Sequence, residues 1–430
     1  MFITKKSNIF ISILLVLLNT YFILRLGKFE LSIDYILPFI IGYNFIILIN
    51  IVAYYFFKDY INPISAYSIF LFCFSFSFIP LSGLQLVFSV FGLTILIASA
   101  LSFFMGAIVF RKIKFLNVFP VFNDKSKKLL LYFILFICVL SFLIEIRKLG
   151  YLPLLNVLKR DVYGDTSRAY TPLLNTFILM SSVIPIWSLL FYRKQIISKR
   201  EHRFILLVSI FILINHLGRQ MFLVSGLSFL AYFNFFNKIN YRKLVVVISG
   251  GVLLFLFIGF LRTGSMSSFD KGNEIIKRGG GIKYKTNIVE SYLVWYSSVR
   301  FSIFEEMLEK KQAQDYWGMG SYTFRPIFKM TRLSNINYLR KPEFDSYSRL
   351  ATYAIEPFLD AGLIGVILVN FTYGFFITYF FRKYSEQESI EYIIPWAIIL
   401  FCMVMMPFTN TFNTFFTWIV LLTNKFLLKE

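Results

Sequence analysis

Histidine is scarce in this chain. Its 430 residues include two, His202 and His216, so no His cluster can ligate a metal. Cysteine is nearly as rare: Cys73, Cys138 and Cys402 lie far apart, each inside an apolar run. That leaves neither a disulfide framework nor a thiolate metal site, and the three read as packing residues. Acidic residues number 23 against 44 Lys and Arg. No H-E-x-x-H pair, Walker loop or nucleotide-binding Gly pattern is present. No D-x-D pair lies in a segment expected outside, which argues against a metal-bound nucleotide-sugar donor. The ten-residue alternation of outer-membrane barrel strands is missing too.

What the chain has instead is apolar bulk. Hydrophobic residues make up 57% of it, with 54 Phe, in repeated runs longer than a bilayer crossing needs. The expectation is an all-α polytopic integral membrane protein of about 12 transmembrane helices. The spans fall near 8–26, 35–57, 61–80, 85–110, 129–146, 173–191, 204–217, 221–236, 244–261, 359–381, 392–408 and 413–424. The first run follows Lys5 and Lys6, and no small-residue cleavage site follows it, so it reads as a retained helix. The chain divides into helices 1–5 (1–146), a medium outer loop (147–172), helices 6–9 (173–261), a large outer segment (262–350) and helices 10–12 (351–430).

Lys and Arg in the short connections orient the chain. With the N-terminus inside, inner segments hold 21 and short outer segments hold 8. Both termini are therefore expected in the cytoplasm. Five of the eight dissenters lie in 147–172, which includes "LKRDVYGDTSRAY". Such a loop either contacts lipid headgroups or walls an anion site. The large segment holds 15 basic and nine acidic residues. Within it, 291–312 has helical apolar spacing with a charged end. No internal repeat relates the two halves of the chain, which argues against a transporter.

The stretch 204–236 reads as two short helices of about 14 and 16 residues joined by "INHLGRQ". About 20 residues are needed to cross, so Arg219 and His216 are expected below the outer surface, in a depression open to water. An arginine facing lipid at that depth would be costly. A hydrogen-bonded helix-end residue is the plainer reading of His216, and His202 reads as surface.

Outer arginines gather beyond this one. Arg160, Arg168, Arg262, Arg300 and Arg349 join Arg219 in segments expected outside, with Tyr163 among them. The plain reading is solvated or headgroup-contacting loops. The functional reading is a site for a membrane-held polyanion, because a guanidinium matches phosphate bidentately and stays charged. Farther along, "ATYAIEPFLDAGLIG" (351–365) sets Glu356 and Asp360 four apart, on one helix face, with Tyr353 near it. These carboxylates either pair with arginines, or one acts as a base or orients a hydroxyl at the outer mouth of the bundle. Gly362 and Gly365 suit close helix packing. An outer-facing enzyme has no ATP, so group transfer there needs a donor activated in advance. A lipid diphosphate is such a donor, and its leaving group needs charge stabilisation.

Three stretches resemble the Wzy-type O-antigen (oligosaccharide repeat-unit) polymerases of bacterial inner membranes. They are "LGYLPLLNVLKRDVYG" (149–164), "HLGRQMFLVSGL" (216–227), which is also similar to O-antigen ligases, and "ATYAIEPFLDAGLIG". The resemblance implies a GT-C-like bundle with its active site facing the periplasm. It implies that undecaprenyl-diphosphate-linked oligosaccharide serves as donor and acceptor within membrane lipid. A chain-length regulator protein would be a partner, and metal, nucleotide cofactor and nucleic acid would not be needed. The candidate residues carried to that reading are Arg160, Arg168, Arg219, Arg262, Arg300, Arg349, Tyr163 and His216 for the diphosphate and substrate, and Asp360, Glu356 and Tyr353 for catalysis. The chain departs from the pattern in two places. No outer Arg is followed by Gly in an R-x10-G spacing, and the residues 348–351 lack the ligase His. A lipid-linked oligosaccharide flippase or another transporter, and an O-antigen ligase, are the alternatives.

Overall fold

The computed structural model describes residues 33–79, 88–109, 121–156, 171–216, 218–237, 242–246, 298–312, 317–325, 352–386 and 389–429, with a few more between 239 and 297. Among these the chain is all helical, with no strand. The helices are α1 (Ile33–Phe57), α2 (Pro63–Phe76), α3 (Val90–Val109), α4 (Asp124–Leu149), the short α5 (Pro153–Asn156), α6 (Pro172–Met180), α7 (Ile184–Arg193), α8 (Lys199–His216), α9 (Arg219–Asn237), α10 (Ser298–Gln312), α11 (Ile355–Ser385), α12 (Ile393–Met405) and α13 (Phe415–Leu428). Single 3-10 turns at Ile390–Tyr392 and Thr411–Asn413 precede the last two. The first expected span lies outside the described residues, and so does most of the ninth.

Five helical stretches are long and apolar enough to cross a membrane: Ile36–Phe57, Val90–Val109, Asp124–Asn156, Leu173–Arg193 and Ile355–Ser385. Their outward faces expose large apolar side chains at helical spacing, such as Phe133, Phe136, Leu140 and Leu143 on α4. Apolar faces of this extent suit lipid, not water. The architecture is that of a helical membrane protein.

Local sequence sets the helix ends. Asn62 accepts the Ser65 N–H (2.9 Å) and Pro63 follows it, a strong start for α2. Asn123 accepts the Ser126 N–H (2.8 Å) at the start of α4. Gly150, at φ +75, ends that helix in the left-handed conformation. α12 has only 13 residues, about 20 Å of rise. It runs through the centre of the bundle, and Ile393 through Met403 are all buried. Protein surrounds its ends, so its short length exposes no backbone to lipid. The tightest crossing joins α3 to α11. A Cβ on Gly106 would sit 2.0 Å from the Phe371 carbonyl oxygen, and one on Gly374 would sit 2.0 Å from that of Phe103. Glycine at both positions lets the two backbones touch.

Polar contacts sort the connections into two ends. At one, Asn234 donates to Asp59 (3.1 Å), Lys128 pairs with Glu201 (2.7 Å), and the Lys127 ammonium donates to the Lys429 carbonyl (2.8 Å). At the other, His216 meets Glu145 (2.9 Å), Ser89 donates to Glu305 (2.9 Å), and Lys148 donates to Thr171 (2.6 Å). The first end carries Lys58, Lys127, Lys128, Arg200, Arg382 and Lys425.

Two expectations need correction. The helices of 204–236 are 18 and 19 residues long, because α8 starts in the charged turn at Lys199 and α9 starts at Arg219 itself. Each rises about 27 Å, near a full bilayer core, so the shortness that was to sink Arg219 is largely gone. His202 is not plain surface. It stacks on Tyr192 (5.6 Å between centroids), and its Nδ1 hydrogen-bonds the Ser188 hydroxyl (3.0 Å).

Candidate site at the start of α11

α11 begins as one helical turn and a half, then breaks. Ala361 (φ −153, ψ 30) and Gly362 (φ +61, ψ −149) are not helical. The Gly362 conformation is one that side chains rarely adopt. The Trp317 ring also lies against it, 3.1 Å from where a Cβ would stand. The break frees carbonyls that a continuous helix would have used. A strap from the large segment, residues 317–325, takes them up. Gly318 N–H donates to the Leu359 carbonyl (2.9 Å), and Met319 N–H donates to that of Asp360 (3.1 Å).

The two carboxylates of this turn have different partners. Asp360 accepts two backbone N–H groups of the strap, Tyr322 on one oxygen (3.0 Å) and Thr323 on the other (2.7 Å). Glu356 Oε2 accepts two side-chain amides, from Asn410 and Asn413, both at 3.0 Å. The Asn413 amide also donates to the Tyr322 carbonyl. All four side chains are buried. Asn410 precedes and Asn413 ends the 3-10 turn between α12 and α13, where Phe412 stacks on Tyr373 (4.6 Å).

Tyr353 stands apart from this pair. It precedes the helix and is fully buried. Its hydroxyl hydrogen-bonds Ser99 (2.6 Å), Tyr67 (2.9 Å) and Asn370, and its N–H donates to the Met406 carbonyl (3.0 Å). The expectation that it lies near the carboxylate face is corrected: it ties α2, α3 and α11 together from below. A continuous helix would have put residue 353 near the face, but the helix starts at Ile355.

His216 ends α8 and pairs with Glu145 near the end of α4. Arg219 opens α9 three residues farther on and is half-buried, with one guanidinium nitrogen fully covered. Arg300 is buried on α10, its guanidinium 5.2 Å from the Trp295 ring centre. On the same helix, Lys311 is buried with its ammonium 4.5 Å from the centre of the Trp317 ring. Trp317 in turn meets Phe358 edge-on (6.0 Å), between the two carboxylates in sequence. Glu305, also on α10, reaches the start of α3 at Ser89. Burial pushes its carboxyl above the ordinary range, and the Ser89 hydrogen bonds offset part of that.

The structure thus gathers Glu356 and Asp360 with the strap, and His216 with Glu145 beside Arg219. Arg160, Tyr163, Arg168, Arg262 and Arg349 lie outside the described residues. Sequence reading missed Asn410, Asn413, Glu145, Glu305 and Lys311. An acid inside an apolar run was the available signal for Glu145. Two amides three apart at a helix connection were the signal for Asn410 and Asn413. Among the described residues, no group of three or more His, Cys, Asp or Glu gathers as metal ligands. No protein-family model, curated protein or solved structure matches the chain.

Proposed function

We propose that the protein polymerises undecaprenyl-diphosphate-linked oligosaccharide repeat units at the periplasmic face of a bacterial inner membrane. On this reading the chain has 12 spans in a GT-C-like bundle, and both termini are cytoplasmic. The basic Asp59 end then faces the cytoplasm, in keeping with the positive-inside rule. The Glu145 end faces the periplasm, with the 317–325 strap and the start of α11. The observation that carries the reading is Glu356, a buried carboxylate held by Asn410 and Asn413 where the large segment folds back onto the bundle.

The chemistry is a displacement. An acceptor hydroxyl oxygen bonds to the anomeric carbon of the donor chain. The bond from that carbon to the diphosphate oxygen breaks, and its electron pair leaves with undecaprenyl diphosphate. The hydroxyl proton passes to a carboxylate and then to solvent. Glu356 is the base on this reading, because it is held by side-chain amides that can turn, whereas Asp360 is fixed by backbone N–H groups. Arg219 stabilises the departing diphosphate, together with arginines of the two outer segments. His216 is held in place by Glu145.

Reconstitution with purified lipid-linked repeat unit tests this. A ladder of longer chains, made without another enzyme, is the expected product. Movement of the lipid without elongation means a flippase, and transfer only onto a different acceptor means a ligase. In cells, Arg219→Ala should collapse long-chain polysaccharide to single repeat units at unchanged protein level. Normal chain length would remove Arg219 from the site.

A further inference from the structure

Asn410 and Asn413 present their amide groups unequally. Both side-chain nitrogens donate to Glu356 Oε2. Both side-chain oxygens are buried and accept no hydrogen bond among the described residues, although the Tyr373 hydroxyl also meets the Asn410 amide. Asn410 is 5% exposed and Asn413 is 9% exposed. A buried amide oxygen without a donor costs about 1–3 kcal/mol. Two such atoms on neighbouring side chains, both anchored to one carboxylate, are a costly arrangement unless something donates to them.

The geometry points to a binding subsite for the hydroxyl groups of a sugar, read by the Asn410 and Asn413 oxygens beside Glu356. The atoms awaiting partners are acceptors, so the ligand must bring donors. An anion such as phosphate is wrong for these positions, since oxygen would face oxygen. A cation would need the carboxylate and the amide oxygens on one centre, but here the nitrogens face the carboxylate and the oxygens lie on the other side of each amide. Sugar hydroxyls fit because each can donate to an amide oxygen and still accept elsewhere. The surroundings suit a ring as well. Phe412, between the two amides in sequence, stacks on Tyr373, and Trp317 lies across the adjoining helix break. The subsite rests on the proposed function only in its role: in a polymerase it would hold the acceptor end of the repeat unit against Glu356.

The test is direct binding by the full-length protein in detergent. The probe is the mixture of water-soluble oligosaccharides released by mild acid from the host's own surface polysaccharide. Saturation-transfer NMR should show contact with sugar ring protons. Asn410→Ala and Asn413→Ala should each weaken binding about tenfold, the loss of one buried hydrogen bond. Asn→Ser variants stand in if alanine fails to fold, since a serine keeps one polar atom in the buried space but is too short to replace the amide oxygen. No binding by the wild type would overturn the proposal, and so would equal binding by properly folded variants. Sodium-dependent thermal stability that vanishes in both variants would overturn it too, as the mark of a cation site. Binding without ladder synthesis would leave the subsite standing and sink the polymerase. Ladder synthesis with undiminished affinity in the variants would do the reverse.

Discussion

The two sides of the start of α11 hold similar groups in opposite ways. On the strap side, Asp360 is bound by backbone N–H groups of Tyr322 and Thr323. On the other side, Glu356 is bound by the side chains of Asn410 and Asn413. Backbone donors are fixed by the chain path, so a carboxylate they saturate works as a clamp. Side-chain amides can turn, and their second atom can serve a ligand. One turn of helix therefore separates a fastening from a candidate working group, although Glu356 and Asp360 look equivalent as a sequence pair.

Exchanging each acid for its amide gives the sharpest contrast. Glu356→Gln keeps the shape and removes the proposed base, so the proposed polymerisation should fall by about 10²–10⁴-fold, with little change in melting temperature. Asp360→Asn turns an acceptor into a donor facing backbone N–H groups. It should cost about 1–3 kcal/mol of stability, while folded protein keeps most of its activity. Chain-length analysis alongside thermal unfolding in detergent decides between them. If Asp360→Asn abolishes activity at full stability and Glu356→Gln does not, the roles are reversed.

The helix break between the two sides can be broken by itself. Gly362→Ala forces a side chain into a conformation that suits glycine and pushes a methyl group toward the Trp317 ring. The expected loss is about 1–3 kcal/mol. Trp317→Ala in the same background relieves the contact but not the backbone strain, so it should restore only part of the loss. Full restoration would mean that the break depends on the indole and not on the glycine.

Sequence showed the helices more readily than the partners. Apolar runs placed helices where the structure has them from 33 to 237 and from 355 to 428, because lipid-facing and core-facing residues are both apolar and their run length is visible. The Glu356–Asp360 pair was visible as a helical spacing. What joins each acid was not, because Asn413 is 57 residues from Glu356 and Tyr322 is 38 from Asp360, and periodicity carries no information at that separation. Gly362 read as a packing glycine, but its positive φ is a backbone property that only the fold reveals. Tyr353 failed for a related reason: spacing arguments assume the helix has begun, and here it begins two residues later.

A third carboxylate, at the opposite end of the bundle, supplies the smallest effect and a contrast in sign. Glu201 is partly exposed. The Lys128 ammonium and the Ser198 N–H hold its carboxyl down to about 2, with help from the Tyr132 and Ser198 hydroxyls. A depressed value means that the unfolded chain binds the proton first as pH falls. The stabilisation from Glu201 is therefore complete above about 4.5 and disappears as pH falls from there toward 2. Glu305 runs the other way. Burial raises its carboxyl, so the folded protein holds the proton longer and loses stability as pH rises through and above the ordinary carboxylate range. Melting curves across pH should thus flatten on the acid side in Glu201→Gln. In Glu305→Gln they should rise at neutral pH, provided the glutamine still accepts from Ser89. Identical pH profiles for both variants and the wild type would mean that neither end of the bundle stores stability in these acids.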